Sequence, residues 1–369
     1  MATTVFVAVV VARFVVPLFI PRFPLPAVVA CLVIDAADQT IFQAIVGPGS
    51  GAADPLAGYQ TYDKALDVYY LAIAYFSTMR NWRQSTAFEV ARFLYLYRLI
   101  GVTLFEIGGP RWLLLVFPNT FEYFFIAFEA VRTRWNPARL TARFIVGLAA
   151  SIWVFVKLPQ EWWIHVAKLD FTEFMDDHPI GWVVLGVAAF GVGALIRAQR
   201  SRFPTPDWTF NVDVDRHLPP LDETPTGHEQ FWSGVLAEKV LLLALVSVIF
   251  AQVLPDVEAS DLGLAVGVGL LVVFNAAISQ WLRRNGRTWR SAGATFAAML
   301  AVNSSIVIVD SWVGPNDRTD APAFNTVFFV VLLSLLIALY DRFRATREPG
   351  ELRRNKVWER VRVGSTPVL

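Results

Sequence analysis

The 369-residue chain is short of charge: Asp, Glu, Lys and Arg make up 17% of it. Soluble domains carry about 25%, so a water-exposed surface of ordinary composition is excluded. Cysteine is almost absent. The single Cys31 lies in an apolar run and has no intrachain partner for a disulfide, which leaves the redox compartment open. Four histidines without metal-ligand spacing exclude the zinc frameworks. There is no Gly-rich phosphate loop, no H-E-x-x-H and no G-x-S-x-G, which argues against ATP-driven and protease chemistry. No basic and aromatic interleaving points to nucleic acid. The first residues lack a basic n-region and a small-residue cleavage site, so the sequence predicts a retained helix there and not a signal peptide.

What is present is apolar length. Hydrophobic residues reach 55%, mean hydropathy is +0.48, and Phe, Trp and Tyr supply 14%. The sequence predicts an all-α, polytopic integral membrane protein whose partner is the lipid bilayer of the cell membrane. Eleven stretches approach the length needed to cross about 30 Å of hydrocarbon as helices. They are 3–20, 26–46, 59–79, 84–105, 111–131, 140–158, 180–198, 232–254, 261–282, 291–312 and 323–341. The first is the weakest, because Arg13 lies within it and Pro17 follows.

Arginine and lysine give the orientation. Alternate loops and the tail hold 23 positive residues, and the opposite loops hold 4. The positive-inside rule then puts the C-terminus in the cytoplasm and the N-terminus outside. Residues 199–230, rich in Pro and polar residues, form a cytoplasmic linker. It divides a seven-helix front part (1–198) from a four-helix back part (231–341), which a basic tail (342–369) follows. The outer segment 157–179 reads as an amphipathic helix lying in the interface, led by Trp162 and Trp163. Its His165, His178, Glu161, Glu173, Asp176 and Asp177 form either a wet acidic face or a metal- or pH-sensing cluster.

Charged side chains inside the bilayer cost roughly 2.5–3.5 kcal/mol each on insertion scales, so each needs a partner, water or a task. They concentrate in the first five helices. Asp35 and Asp38 share one helix face, and so do Asp63 and Asp67 on the next, antiparallel helix. Four carboxylates at similar depth require cations, raised pKa values or bound divalent metal. Arg98 is the best-placed counter-charge. Glu122 follows Phe117-Pro118-Asn119, where a kink frees backbone carbonyls and suits a cavity wall. Glu106 lies at the outer end of its span, on the same substrate or proton path. Glu129 and Arg132, three apart, make an ion pair at the cytoplasmic end.

The pattern Asp35-Ala-Ala-Asp38 followed by Asp63-Lys-Ala-Leu-Asp67 resembles part of the CDP-alcohol phosphotransferase signature. The resemblance implies that Asp35, Asp38 and Asp63 hold a divalent cation, Mg²⁺ or Mn²⁺, with Asp67 as a further ligand or as the base; Arg98, as the nearby counter-charge, is the second candidate catalytic residue. Metal would clamp phosphate oxygens during transfer. Gln39 stands where the family has Gly, Phe42-Gln43 where it has Ala-Arg, and Tyr59 where it has Gly. Charge counting also turns these aspartates outward, which favours a lipid-linked phosphate or headgroup as substrate. Two other readings stay open: an ion-coupled secondary transporter, and a structural or assembly subunit binding an unknown membrane partner.

Overall fold

The computed structural model describes residues 2–46, 55–82, 84–167, 174–175, 177–198, 205–207, 209–214, 234–253 and 330–344, with isolated positions at 297, 300–301, 304 and 328. The described residues are predominantly helical, and none of them forms a strand. The expected spans at 261–282 and 291–312 lie outside this set or nearly so, as does the tail beyond 344.

Helix boundaries follow from local chemistry. Helix α1 (Ala2–Val15) ends in a 3-10 turn, Val16–Phe19, whose second residue is the ring-locked Pro17. Helices α2 (Pro24–Val46) and α3 (Pro55–Asn81) each begin at a proline, where the missing N–H costs nothing. The Gln84 side chain caps α4 (Ser85–Glu106) by accepting from the Ala87 N–H at 3.0 Å. Beyond its C-terminus Gly108 takes φ +99°, the left-handed conformation that ends a helix.

Pro118 and Asn119 interrupt the next helical stretch, leaving a single turn α5 (Leu113–Val116) and a longer α6 (Thr120–Arg132). After a Thr141 cap, α7 (Ala142–Ile152) runs through a π-turn (Trp153–Lys157), one α-turn α8 (Leu158–Glu161) and a second π-turn (Trp162–Val166). Helices α9 (Ile180–Ala198), α10 (Gly234–Val253) and α11 (330–344) complete the set.

Leu113–Arg132 and Ala142–Val166 are the two helical stretches, among the described residues, long and apolar enough to cross a membrane. The second corrects the expectation for the outer segment. Helix continues through Val166, so residues 157–166 prolong the preceding helix and do not begin a separate one at 157. Two π-turns, each inserting a residue into the helical ladder, let the helix persist past Pro159. Residues 168–173 of that segment lie outside the described set.

The core is aromatic and sits where α3, α4 and α6 meet. Tyr75 stacks on Tyr95 with centroids 4.7 Å apart, and Trp82 lies 4.3 Å from Phe128 and 5.5 Å from Phe125. Each such pair contributes about 0.5–1.5 kcal/mol beyond area burial. The same cluster takes in Leu242, Val246 and Phe250 of α10 and Leu332, Leu336 and Tyr340 of α11. Helices before and after the linker thus share one core. Glu238 of α10 accepts from the Tyr75 hydroxyl at 2.6 Å, and Lys239 reaches Asp341 at 2.7 Å.

Outside the core the surface is apolar. On α7 and the turn after it Val146 and Phe155 are exposed, the latter by 77%; on α9 Ile180, Val183, Val187 and Phe190 are exposed, the last by 79%.

One end of the bundle gathers the arginine-bearing loops. Asp213 pairs with Arg22 at 3.2 Å, and the Val214 N–H donates to the Arg22 carbonyl. Asp207 accepts from the Asn136 N–H at 3.0 Å and pairs with Arg139. The Asn211 N–H donates to the Thr133 carbonyl. Residues 205–207 and 209–214 of the linker are therefore strapped across two loops that the charge pattern puts on the same side.

Candidate functional site

A cavity of about 330 Å³ opens among α2, α3, α4, α6 and the first π-turn. The wall of α2 and α3 presents Asp35, Lys64, Asp67 and Tyr70, and α4 presents Tyr95, Arg98 and Glu106. The interrupted helix supplies Asn119, Glu122 and Tyr123, and the π-turn region supplies Lys157 and Gln160. Of the residues singled out in the sequence, the structure brings Asp35, Asp67, Arg98, Glu106 and Glu122 to this one space. The side chains of Asp38 and Asp63 lie outside the described residues.

Arg13 is the residue that sequence reasoning undervalued. Its guanidinium is 4% exposed and reaches Asp35 Oδ1 at 2.7 Å and Asp67 Oδ1 in the same grip. Arg13 on α1, Asp35 midway along α2 and Asp67 midway along α3 thereby form one three-helix junction. The Tyr69 hydroxyl adds a hydrogen bond to the Phe14 carbonyl at 3.1 Å, and the two rings stack. The counter-charge expected from Arg98 thus comes from Arg13. Both aspartates remain about a third exposed toward the cavity, at 35% and 39%.

The helix interruption organises the opposite wall. The break at Pro118 ends α5, and the Thr120 N–H, which a continuous helix would give to Val116, donates to the Pro118 carbonyl at 2.8 Å. The Tyr97 hydroxyl donates to the Val116 carbonyl at 3.0 Å, and Arg98 donates to the Phe117 carbonyl at 2.9 Å. Gly101 makes this approach possible, since a Cβ there would stand 2.1 Å from the Phe117 Cβ. Among the described residues Arg98 makes no ion pair; Glu161, Glu122 and Asp67 are the carboxylates that act on it from a distance.

Past the break, Glu122 is buried and held at both oxygens. One oxygen accepts from the Tyr70 hydroxyl and the other from Asn119 Nδ2 at 2.8 Å. Glu161 accepts from the Asn119 backbone N–H at 3.1 Å and pairs with His165 at 2.9 Å and Lys157 at 3.8 Å. Lys157 also donates to Gln160 at 3.0 Å and lies over the Tyr123 ring. Of the outer histidines, His165 joins this chain, whereas His178 is exposed and stacks on Phe174. Lys64, in the first half of α3, and Glu106, the last residue of α4, pair at 3.3 Å on the cavity lining, with Lys64 half exposed.

Among the residues that line the cavity, two polar atoms are left over. The Tyr95 hydroxyl and Asn119 Oδ1 are buried and, among the described residues, find no hydrogen-bond partner. Both residues line the cavity. A buried unpaired polar atom costs about 1–3 kcal/mol, so such atoms mark where a further group completes the set.

As to metal, the described residues contain no group of three or more His, Cys, Asp or Glu side chains placed to hold an ion. Asp35 and Asp67 are the two quartet members whose side chains are described, and both face a guanidinium. At the far end of α6, Glu129 accepts from Trp82 Nε1 at 2.5 Å and from Arg132 at 2.6 Å, so it is a buried structural pair.

No family model, curated protein or solved structure matches this chain.

Proposed function

We propose that the chain is a polytopic protein of the cell membrane, with eleven spans, its N-terminus outside and its C-terminus cytoplasmic. Within it the charged cavity is the binding site of an ion-coupled carrier for a small polar solute. The observation that carries the reading is the lining of the cavity by interrupted helices. The α5–α6 break and the π-turn before α8 both border it, and both add polar backbone or side chains at its wall. Irregular backbone inside a membrane is tolerated where it is buried in protein or faces a cavity, and carriers bind substrate between such half-helices.

Polarity supports the same reading. The loops bearing Arg22, Arg132, Arg134 and Arg139 meet the linker strap at one end of the bundle. The Lys64–Glu106 pair lies toward the opposite end, in the first half of α3 and at the last residue of α4, so the cavity faces outward when the arginines are cytoplasmic. The exposed apolar faces of α7 and α9 are what lipid contact requires.

A metal-dependent transferase built on the aspartate quartet would need Arg13 to release Asp35 and Asp67. An assembly subunit would not need a cavity with unpaired polar atoms. The carrier reading is tested on proteoliposomes adsorbed to a solid-supported membrane. Rapid addition of amines, carboxylates and amino-carboxylates in turn should give a protein-dependent transient current with at least one class. Glu122→Gln should diminish that current. Absence of current with every class, from protein that is folded and correctly inserted, would remove the proposal.

A further inference from the structure

The remaining chemistry of the cavity narrows what it takes. Glu122, Lys157 and Glu161 already have partners in the wall, and Lys64 is paired with Glu106. Arg98 has used one N–H, on the Phe117 carbonyl, of the five that a guanidinium carries. Beside it on the same helix and less than one turn away is Tyr95, 2% exposed, with its hydroxyl unpartnered among the described residues. These are donors, and a guanidinium with a hydroxyl is matched by an acidic group.

The α2 and α3 wall has the opposite character. Asp35 and Asp67 show about a third of their side chains to the space. Asn119 Oδ1, an acceptor without a donor among the described residues, belongs to the same cavity. An ionised carboxylate accepts about four hydrogen bonds, and each aspartate, besides its pairing with Arg13, keeps part of its surface open to this space. Two anionic acceptors on one wall match an ammonium.

We infer that the cavity binds a small zwitterion, its acidic group held by Arg98 and Tyr95 and its ammonium by Asp35 and Asp67. A volume of about 330 Å³ accommodates a molecule of amino-acid size. The same chemistry comes from two sources, a free amino acid or the phosphoethanolamine headgroup of a lipid. The assignment rests on the carrier reading only for what happens after binding.

The experiment is thermal stabilisation of the detergent-purified full chain by alanine, phosphoethanolamine, acetate and ethylammonium. Alanine or phosphoethanolamine should raise the melting temperature in a saturable way, and the two single-charge compounds should not. Alanine alone assigns a free solute; phosphoethanolamine alone assigns a headgroup. Tyr95→Phe keeps the ring and its stacking, and should weaken binding about tenfold by removing one charge-assisted hydrogen bond. Arg98→Gln should weaken it further. The inference is overturned if the zwitterions act no better than acetate and ethylammonium, or if Tyr95→Phe, melting like the parent without ligand, binds as the parent does. Saturable binding without current in the liposome assay would sink the carrier and keep the ligand. Current from another solute class, with neither zwitterion bound, would do the reverse.

Discussion

Arg13 and Asp35 stand 22 positions apart in sequence and 2.7 Å apart in space, joining α1 to α2 at mid-helix. Because the guanidinium also holds Asp67 on α3, its loss leaves two carboxylates facing each other. Arg13→Ala should cost about 3 kcal/mol, the low end for breaking a buried pair, since both aspartates are partly exposed. A fall in melting temperature on purified protein measures it. Arg13→Lys should recover part of the loss, because an ammonium supplies the charge without the planar fork.

The same junction decides the metal question. With Arg13 in place, Mg²⁺ or Mn²⁺ should leave the melting temperature of the parent chain unchanged. Saturable stabilisation by Mn²⁺, lost in Asp67→Asn, would restore the aspartate quartet as a metal site and place Arg13 outside it.

Gly101 is a packing requirement of the cavity wall. Gly101→Ala puts a methyl group into the Phe117 side chain, which is fixed next to the break. Overpacking of this kind costs about 1–3 kcal/mol. The displaced turn also carries the carbonyl that orients Arg98, so zwitterion affinity should fall together with stability. Undiminished affinity in Gly101→Ala would show that the break is not held by this contact.

The strap at 205–207 and 209–214 should behave locally. Arg139 is mostly exposed, so its pair with Asp207 contributes about 0.2–1 kcal/mol and its removal leaves global stability nearly unchanged. Asp207→Ala also strips a partner from the Asn136 N–H. Faster hydrogen exchange at 205–207, 209–214 and 134–139, with the rest of the bundle unaltered, is the expected pattern.

Orientation is open to a direct check, since Cys31 is the sole cysteine and is buried. In a Cys31→Ala background, Ile107→Cys should react with an impermeant maleimide on intact cells. Arg134→Cys should react only after permeabilisation. The reverse pattern would invert the whole arrangement.

Local chemistry was legible in the sequence; long-range meeting was not. The Glu129–Arg132 pair is a matter of helical spacing, and the break before Glu122 is written in Pro118. Asp35 and Asp67 were readable as residues in need of a counter-charge. That the charge comes from Arg13 was hidden, because α1 and α3 meet only through tertiary packing, 54 positions apart. In the sequence the same arginine looked like a flaw in a weak first span. Lys157 and Glu161 were misplaced for a related reason. Hydropathy alone does not reveal π-turns, and these prolong a helix that seemed to end at 158.

The carbonyls left open at Val116 and Phe117 and the side chains of Tyr97 and Arg98 satisfy one another. Such an arrangement is inherited as a unit. A substitution at Pro118 that healed the helix would withdraw the acceptor and strand an arginine in a water-poor interior. Loss of the arginine alone would strand the carbonyl. Either change is harmful by itself, and the two together are milder than their sum. Among homologous chains Pro118 and Arg98 should therefore be found together or replaced together.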